Sequence, residues 1–379
     1  MLFANIIGQE KIKKRLIQTV RDNRVSHAQL FLGPEGSGKL ALAIAYAQYV
    51  NCENKQNEDS CGACASCLKY DKLIHPDLHF VYPVAITKKA PSKPKSKDYL
   101  SDWRELLLEK KYYVSLGDWY EKIEIENKQG IINTFDCNEI IKTLSYKSFE
   151  SEYKVMIIWM VEKLYHAAAP KILKILEEPP DKTLFILVSE QQDQIINTII
   201  SRTQIVKIPR LTDQEIFDAL KTGFDSHSME AQRIVNLVRG NFREAVREET
   251  TRQDSDDYLK SFTQWMRLCF QRNISGIQQF VEQMAKSGRE KQKRFLQYAI
   301  QFIRECILIQ YSNNQQVRLN PGELEFAGNF ASFIHSKNIS GITEELNNAI
   351  FHIERNANPS ILFMDLSLKI NRLLKIKAI

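Results

Sequence analysis

The chain has 379 residues, too many for one average domain, so two or three domains are expected. Apolar residues make up 44% and charged residues 26%, the balance of an ordinary folded protein rather than a disordered or fibrous one. A formal charge of +6 permits contact with nucleic acid without arguing for it.

In chain order, Lys11–Thr19 carries Ile12, Leu16 and Ile17 on helical spacing. The apolar run Ala28–Leu32 reads as a strand, and the Ala- and Leu-rich stretch Leu40–Val50 as a helix, with a glycine-rich loop between them. Residues 52–67 hold four of the seven cysteines. Residues 87–98 are rich in Lys, Pro and Ser, and their composition predicts a mobile loop. The aromatic residues Trp103, Tyr112, Tyr113, Trp119 and Tyr120 predict an ordered insert after it. Lys154–Met160 and Thr183–Ser189 read as buried strands flanking a helix at Ala167–Leu176, which together predict a parallel sheet covered on both faces. Thr212 and Glu215 form a capping box at the head of a helix. From Tyr258 onward no strand is predicted. Two adjacent rows, Phe295, Ala299, Phe302, Cys306 and Leu296, Ile300, Ile303, Ile307, mark one core-facing helix of a bundle.

The longest clean apolar run, Val155 to Val161, is far too short to span a bilayer, so no membrane attachment is expected. The opening stretch has no sustained apolar segment with a cleavage site. A cytoplasmic location is therefore expected, with reduced thiols, and clustered cysteines are read first as metal ligands.

The glycine-rich loop, "GPEGSGKL", follows the pattern G-x-x-x-x-G-K-[ST] through Gly33, Gly38 and Lys39, with Gly36 between. In a working loop, backbone N–H groups and the following helix N-terminus hold phosphate, the Lys ammonium reaches the β- and γ-phosphates, and the Ser/Thr hydroxyl ligates Mg²⁺. Leu40 stands at that last position and has no oxygen. The acidic pair that would end the partner strand, hold Mg²⁺ and activate water is replaced by Trp159 and Met160. ATP or ADP binding at Gly33, Gly36, Gly38 and Lys39 remains possible, but metal-assisted hydrolysis is not expected. A glycine-rich turn with no nucleotide role is the plainer alternative.

Cys52, Cys61, Cys64 and Cys67 have the spacing C-x8-C-x2-C-x2-C, which suits tetrahedral Zn²⁺. In so polar a segment a structural metal replaces a missing core. An iron–sulfur cluster also uses four thiolates, and disulfides are disfavoured by compartment. Cys137, Cys269 and Cys306 are read as packing residues.

Several stretches together resemble a known family, the clamp-loader subunits of bacterial DNA polymerase III, within the AAA+ class. They are "IIGQEKIKKRL", "SHAQLFLGPEGSGK", the four-cysteine module followed by "HPDLHF", "KILKILEEPPDKTLFILVS", "IISRTQIVKIP", "LVRGNFREAV" and "ERNANPSILFMDLSLKI". The resemblance implies an AAA+ parallel-sheet α/β domain at 1–209, with a zinc module at about 52–67 and a variable insert at about 81–135. It implies a small helical lid at 210–255 and an all-α collar, or oligomerisation, domain at 256–379. The insert departs from the family and no role is carried to it. The losses at Leu40, Trp159 and Met160 point to the subunit kind that lacks its own ATPase site, the delta-prime type. An active motor ATPase is the alternative, and a zinc-dependent DNA-binding protein a remoter one. Ser201, Arg202 and Thr203 match the family's S-R-C motif with Thr in the Cys position, which implies that Arg202 is an arginine finger serving a neighbouring motor subunit. Arg243 matches a second sensor position on the lid. Implied partners are the motor and clamp-opening subunits of a hetero-oligomeric ring, the sliding clamp and primer-template DNA.

Overall fold

The computed structural model describes residues 1–125, 129–224, 228–250, 255–311, 317, 319 and 321–376. Two units divide the chain: Met1–His227 with Val238–Arg247, and Ser228–Leu237 with Glu248–Ile379.

The first unit is built on five strands. Its elements in order are α1 (Glu10–Arg21), β1 (Ala28–Leu32), α2 (Lys39–Val50), α3 (Ala65–Asp71), β2 (Leu78–Val81), α4 (Leu100–Glu109), α5 (Leu116–Lys122), α6 (Thr134–Ser145), β3 (Lys154–Trp159), α7 (Ala169–Glu177), β4 (Thr183–Ser189), α8 (Asn197–Ile200), β5 (Gln204–Lys207) and α9 (Asp213–Phe224). All strand pairs are parallel, in the order β2-β3-β4-β1-β5. The two-residue period of the strands sorts their side chains onto two cores. Phe31, Val155, Ile157, Leu184 and Ile186 face one side with α1, α2 and the insert. Leu30, Met156, Ile158, Phe185 and Leu187 face the other with α6 and α7. Every residue of α2 is buried, as expected of a helix apolar all round.

The strands expected at 154–160 and 183–189 are β3 and β4, and the Thr212–Glu215 capping box heads α9, with the Glu215 carboxylate accepting the Thr212 N–H at 2.7 Å. Residues 87–98 differ from the expected mobile loop. The Ser96 N–H donates to Asp136 Oδ1 at 2.7 Å, the Ser96 hydroxyl donates to the Tyr82 carbonyl at 3.0 Å, and Lys95 pairs with Glu139 at 3.3 Å. A polar segment supplies no core, but carboxylates at the head of α6 satisfy its backbone and lysines instead. The insert that follows is ordered around an aromatic knot: Trp103 lies 4.5 Å from Tyr82, 5.1 Å from Trp119 and 4.9 Å from Trp159 between ring centroids.

Beyond α9 come α10 (Ser228–Val238) and α11 (Phe242–Thr250). The remaining helices are α12 (Ser255–Gln271), α13 (Ile274–Lys286), α14 (Arg289–Tyr311), α15 (Pro321–Phe330), α16 (Ile339–Glu354) and α17 (Pro359–Leu374). Among the described residues of the second unit there is no strand. In that unit α17 packs on α12, α13 and α16, and α14 packs on α15 and α16. Phe295, Ala299, Phe302 and Cys306 of α14 lie in the core, as the helical rows predict. The Trp265 indole N–H reaches the Ser367 hydroxyl at 2.8 Å inside it.

Candidate phosphate-loop site and cysteine cluster

β1 ends at Leu32, and the chain turns through the loop so that Lys39 is the first residue of α2. The loop thus lies at the C-terminal edge of a parallel sheet, where open α/β folds place ligands. Gly38 has φ of 81° and Gly36 of 72°, backbone that a side chain strains against. The Gly33 N–H bonds the Ser189 carbonyl at 3.2 Å, which ties the loop to the end of β4. Gly33, Gly36, Gly38 and Lys39 stand together in the turn from β1 into α2.

What faces the loop is this chain itself. The Lys39 ammonium is buried, donating to Glu190 Oε1 at 2.8 Å and to the Pro34 carbonyl at 3.1 Å. Leu40 is 4% exposed and belongs to the core beneath. A Cβ built on Gly36 would come within 1.8 Å of Asn241 Oδ1, and the Phe242 N–H donates to the Gly36 carbonyl at 3.3 Å. Arg243 pairs with Glu35 of the loop at 2.7 Å and with Asp118 of the insert at 2.8 Å. The Tyr113 ring stands against Phe242 with centroids 4.9 Å apart, and the Tyr113 hydroxyl accepts the Ile7 N–H at 3.3 Å beside Gly38. All of these residues lie in the first unit.

Burial raises the Glu35 carboxyl above its ordinary range, with Arg243 opposing. Burial also acts to raise Asp118, but Arg243 and the Ser115 donors outweigh it and hold the carboxylate below its ordinary range. Trp159 is buried against Trp103, and Met160 follows it in left-handed backbone at φ 56°. Glu162 is turned back to the end of β4, where its Oε1 accepts the Glu190 N–H at 3.0 Å, and burial raises its carboxyl.

The four cysteines of the predicted set lie together, their Sγ atoms all within 4.8 Å of one another. Cys52 and Cys61 Sγ are 3.6 Å apart, and Cys61 and Cys67 Sγ 3.9 Å. Those separations are far beyond a disulfide bond and match the roughly 3.8 Å edge of a tetrahedron with metal–sulfur bonds of about 2.3 Å. Three backbone N–H groups point at sulfur: Cys61 to Cys52 at 3.3 Å, Cys64 to Cys61 at 3.3 Å and Cys67 to Cys64 at 3.4 Å. These donors stabilise thiolates, so the four residues can hold a metal ion.

Arg202 lies after α8 and pairs with Glu177, the last residue of α7, while its Nη1 donates to the Thr198 carbonyl at 3.0 Å. Glu177 ends α7 and Glu178 caps it ahead of Pro179. His75 and Asp77 have a local task. Asp77 accepts N–H groups from Phe149, Glu150 and Ser151 at 2.6, 2.9 and 2.9 Å. His75 Nδ1 accepts the Asp77 N–H at 3.1 Å, so Nε2 carries the proton and donates toward Ser151 Oγ at 2.9 Å. An imidazole in that tautomer cannot take the serine proton, and the cluster is a loop clamp rather than a nucleophile. Asp118, Tyr113, Glu190 and Asn241 are the site residues that sequence reasoning missed. The only local signal among them is the Ser115–Asp118 cap of α5.

The fold and loop define a parallel-sheet α/β protein with a phosphate-loop scaffold and an inserted four-cysteine cluster. Residues 8–212, more than half of the chain, match the profile of the family described as DNA polymerase III, delta subunit, and the chain belongs to that family. It is similar to DNA polymerase III subunit delta' of Bacillus subtilis (strain 168), 29% identical over 246 residues covering 65% of this chain and 60% of that one. It is also similar to subunit tau of the same organism, 28% identical over 249 residues covering 64% of this chain and 36% of that one. The chain thus spans less than two thirds of the length of these relatives. Among solved structures, a DNA polymerase III gamma subunit-related protein from Thermotoga maritima aligns with a TM-score of 0.41 at 13% identity, over 97% of this chain and 100% of that one. Among the described residues no helix is long and apolar enough to cross a membrane.

Proposed function

We propose that this chain is a delta-prime-type subunit of a DNA polymerase III clamp loader, one that carries a phosphate loop but does not hydrolyse ATP. The relatives include both delta' and tau at nearly equal identity, so overall similarity does not choose between a silent and an active subunit. The site supports the choice. Leu40 packs into the core where a metal-ligating hydroxyl would stand, and a buried indole, Trp159, takes the place of the acidic metal ligand. In this reading residues 1–209 are an AAA+ module, 210–255 a helical lid, and 256–379 the collar that joins a hetero-oligomeric ring. Zn²⁺ occupies Cys52, Cys61, Cys64 and Cys67 as a closed structural site with no open position for catalysis. Arg202 serves as an arginine finger toward a neighbouring motor subunit. Its guanidinium is a third exposed and its partner Glu177 nearly half exposed, so the pair is weak enough to be exchanged for a phosphate. Arg243 keeps the sensor position but acts as a bridge within the chain. The sliding clamp and primer-template DNA are the loader's other partners, in the cytoplasm.

Reconstitution with motor and clamp-opening subunits tests this. The isolated chain is expected to show no ATP turnover above background. Arg202→Ala is expected to assemble normally but to slow DNA-stimulated hydrolysis, since a finger in trans can contribute roughly 10³–10⁵ in rate at the site it serves. Turnover by the isolated chain would overturn the silent-subunit reading, and equal loader rates for Arg202→Ala and parent would remove the finger.

A further inference from the structure

The insert between β2 and β3 has no assigned role, and its two most telling contacts are with Arg243 of α11, which itself pairs with Glu35 of the phosphate loop, and with Gly38 of that loop. Asp118, from the first turn of α5, grips Arg243 with both oxygens, Nε to Oδ2 at 2.8 Å and Nη2 to Oδ1 at 3.3 Å. Arg243 Nη1 reaches on to Glu35 in the loop itself at 2.7 Å. Tyr113, from the turn between α4 and α5, lies over Gly38 and locks onto Ile7 and Phe242. Lys39, the cation a phosphate would seek, is already matched by Glu190. Around these two cations stand Glu35, Glu190, Asp118 and, bonded to the Glu190 backbone, Glu162. The balance is acidic, the reverse of what an anion site needs.

We propose that the insert is the resident occupant of the phosphate-loop site: Asp118 and Tyr113 take up the Arg243 guanidinium and the space over Gly38 that an anionic nucleotide would otherwise use. The inference deepens the silent-subunit reading. It accounts for silence by occupancy as well as by missing metal ligands, and so predicts that binding can be restored without restoring hydrolysis. Asp118 is the latch, because a bidentate carboxylate on a partly buried Arg is among the stronger pairings available to it. Glu190 is the second seal. Tyr113 covers Gly38.

The test is titration of the full chain with mant-ATP and Mg²⁺, read by fluorescence anisotropy. The parent is expected to give no saturable binding. Asp118→Asn keeps the shape and the Ser115 cap but releases charge from Arg243, and Asp118→Asn with Glu190→Gln frees Lys39 as well. Each step is expected to tighten binding by about tenfold, the worth of one charge-assisted hydrogen bond withdrawn from competition. Adding Lys39→Met is expected to abolish the gain. Tyr113→Ala is a second, charge-neutral route to the same opening. Saturable binding by the parent that these changes leave unaltered would overturn occupancy. So would absence of any gain in variants whose near-ultraviolet circular dichroism matches the parent. Neither result touches the silent-subunit reading, which falls only if the parent turns ATP over.

Discussion

Asp136 shows how one buried group sets a pH dependence. It sits at the third position of α6, 2% exposed, accepting N–H groups from Ser96 at 2.7 Å and Asn133 at 3.2 Å. Burial pushes its carboxyl up to about 6 in spite of those donors, with Asp98 adding to the rise. A carboxyl raised on folding stabilises most when protonated. Its contribution is full below the unfolded value, near 4, and is lost as pH rises through about 6. Asp136→Asn stays neutral; its single amide oxygen can accept only one of the two N–H groups, a loss that does not vary with pH. Its stability relative to the parent is therefore expected to rise by on the order of 1–3 kcal/mol between pH 4 and pH 7, measured by urea denaturation at each pH. A relative stability that does not change over that range would show that Asp136 is not held neutral.

At the scale of elements, the insert stands or falls with its aromatic knot. Trp103 of α4 is fully buried among Tyr82, Trp119 and Trp159, and its indole N–H finds no hydrogen-bond partner among the described residues. Trp103→Ala is expected to cost roughly 3–5 kcal/mol in chemical denaturation. Trp103→Phe should cost clearly less, because it keeps most of the packing and removes an orphaned donor. Equal losses would mean that the ring packing Phe retains contributes little to stability. The same elements mark what could be read from sequence. β1, β3 and β4 were legible because strands buried on both faces are apolar without interruption. β2 and β5 were missed: each has four residues, too few for a period to emerge, and β5 is an edge strand whose burial alternates weakly. The phosphate loop and the cysteines were legible because their chemistry is packed into a short stretch of chain. The Asp118–Arg243 bridge was not, since its members stand 125 positions apart and neither belongs to a motif that names the other.

For the whole molecule, the two units hold separate cores. Trp103, Trp119 and Trp159 belong to the first, and Trp265 to the second. The cysteine cluster lies in the first unit alone. If zinc fills it, about one equivalent is expected by metal analysis of the parent, falling in Cys61→Ser and Cys64→Ser. Chelation is expected to lower the unfolding temperature of the first unit and leave that of the second in place, as read by calorimetry. Because a structural metal contributes its binding free energy to folding, the loss should be large. A metal-free native chain would refute the site.

The complete burial of α2 has a consequence for genetics. A phosphate loop is commonly judged active or vestigial by whether alleles that alter it are tolerated. Here the loop opens a helix with no surface face, its lysine closes a buried ion pair, and the space at Gly36 is filled by Asn241. Lethal alleles at Gly36 or Lys39 would thus be expected in a protein that never meets a nucleotide. Intolerance at this loop would therefore not by itself diagnose nucleotide use, because packing at the same positions would suffer as well.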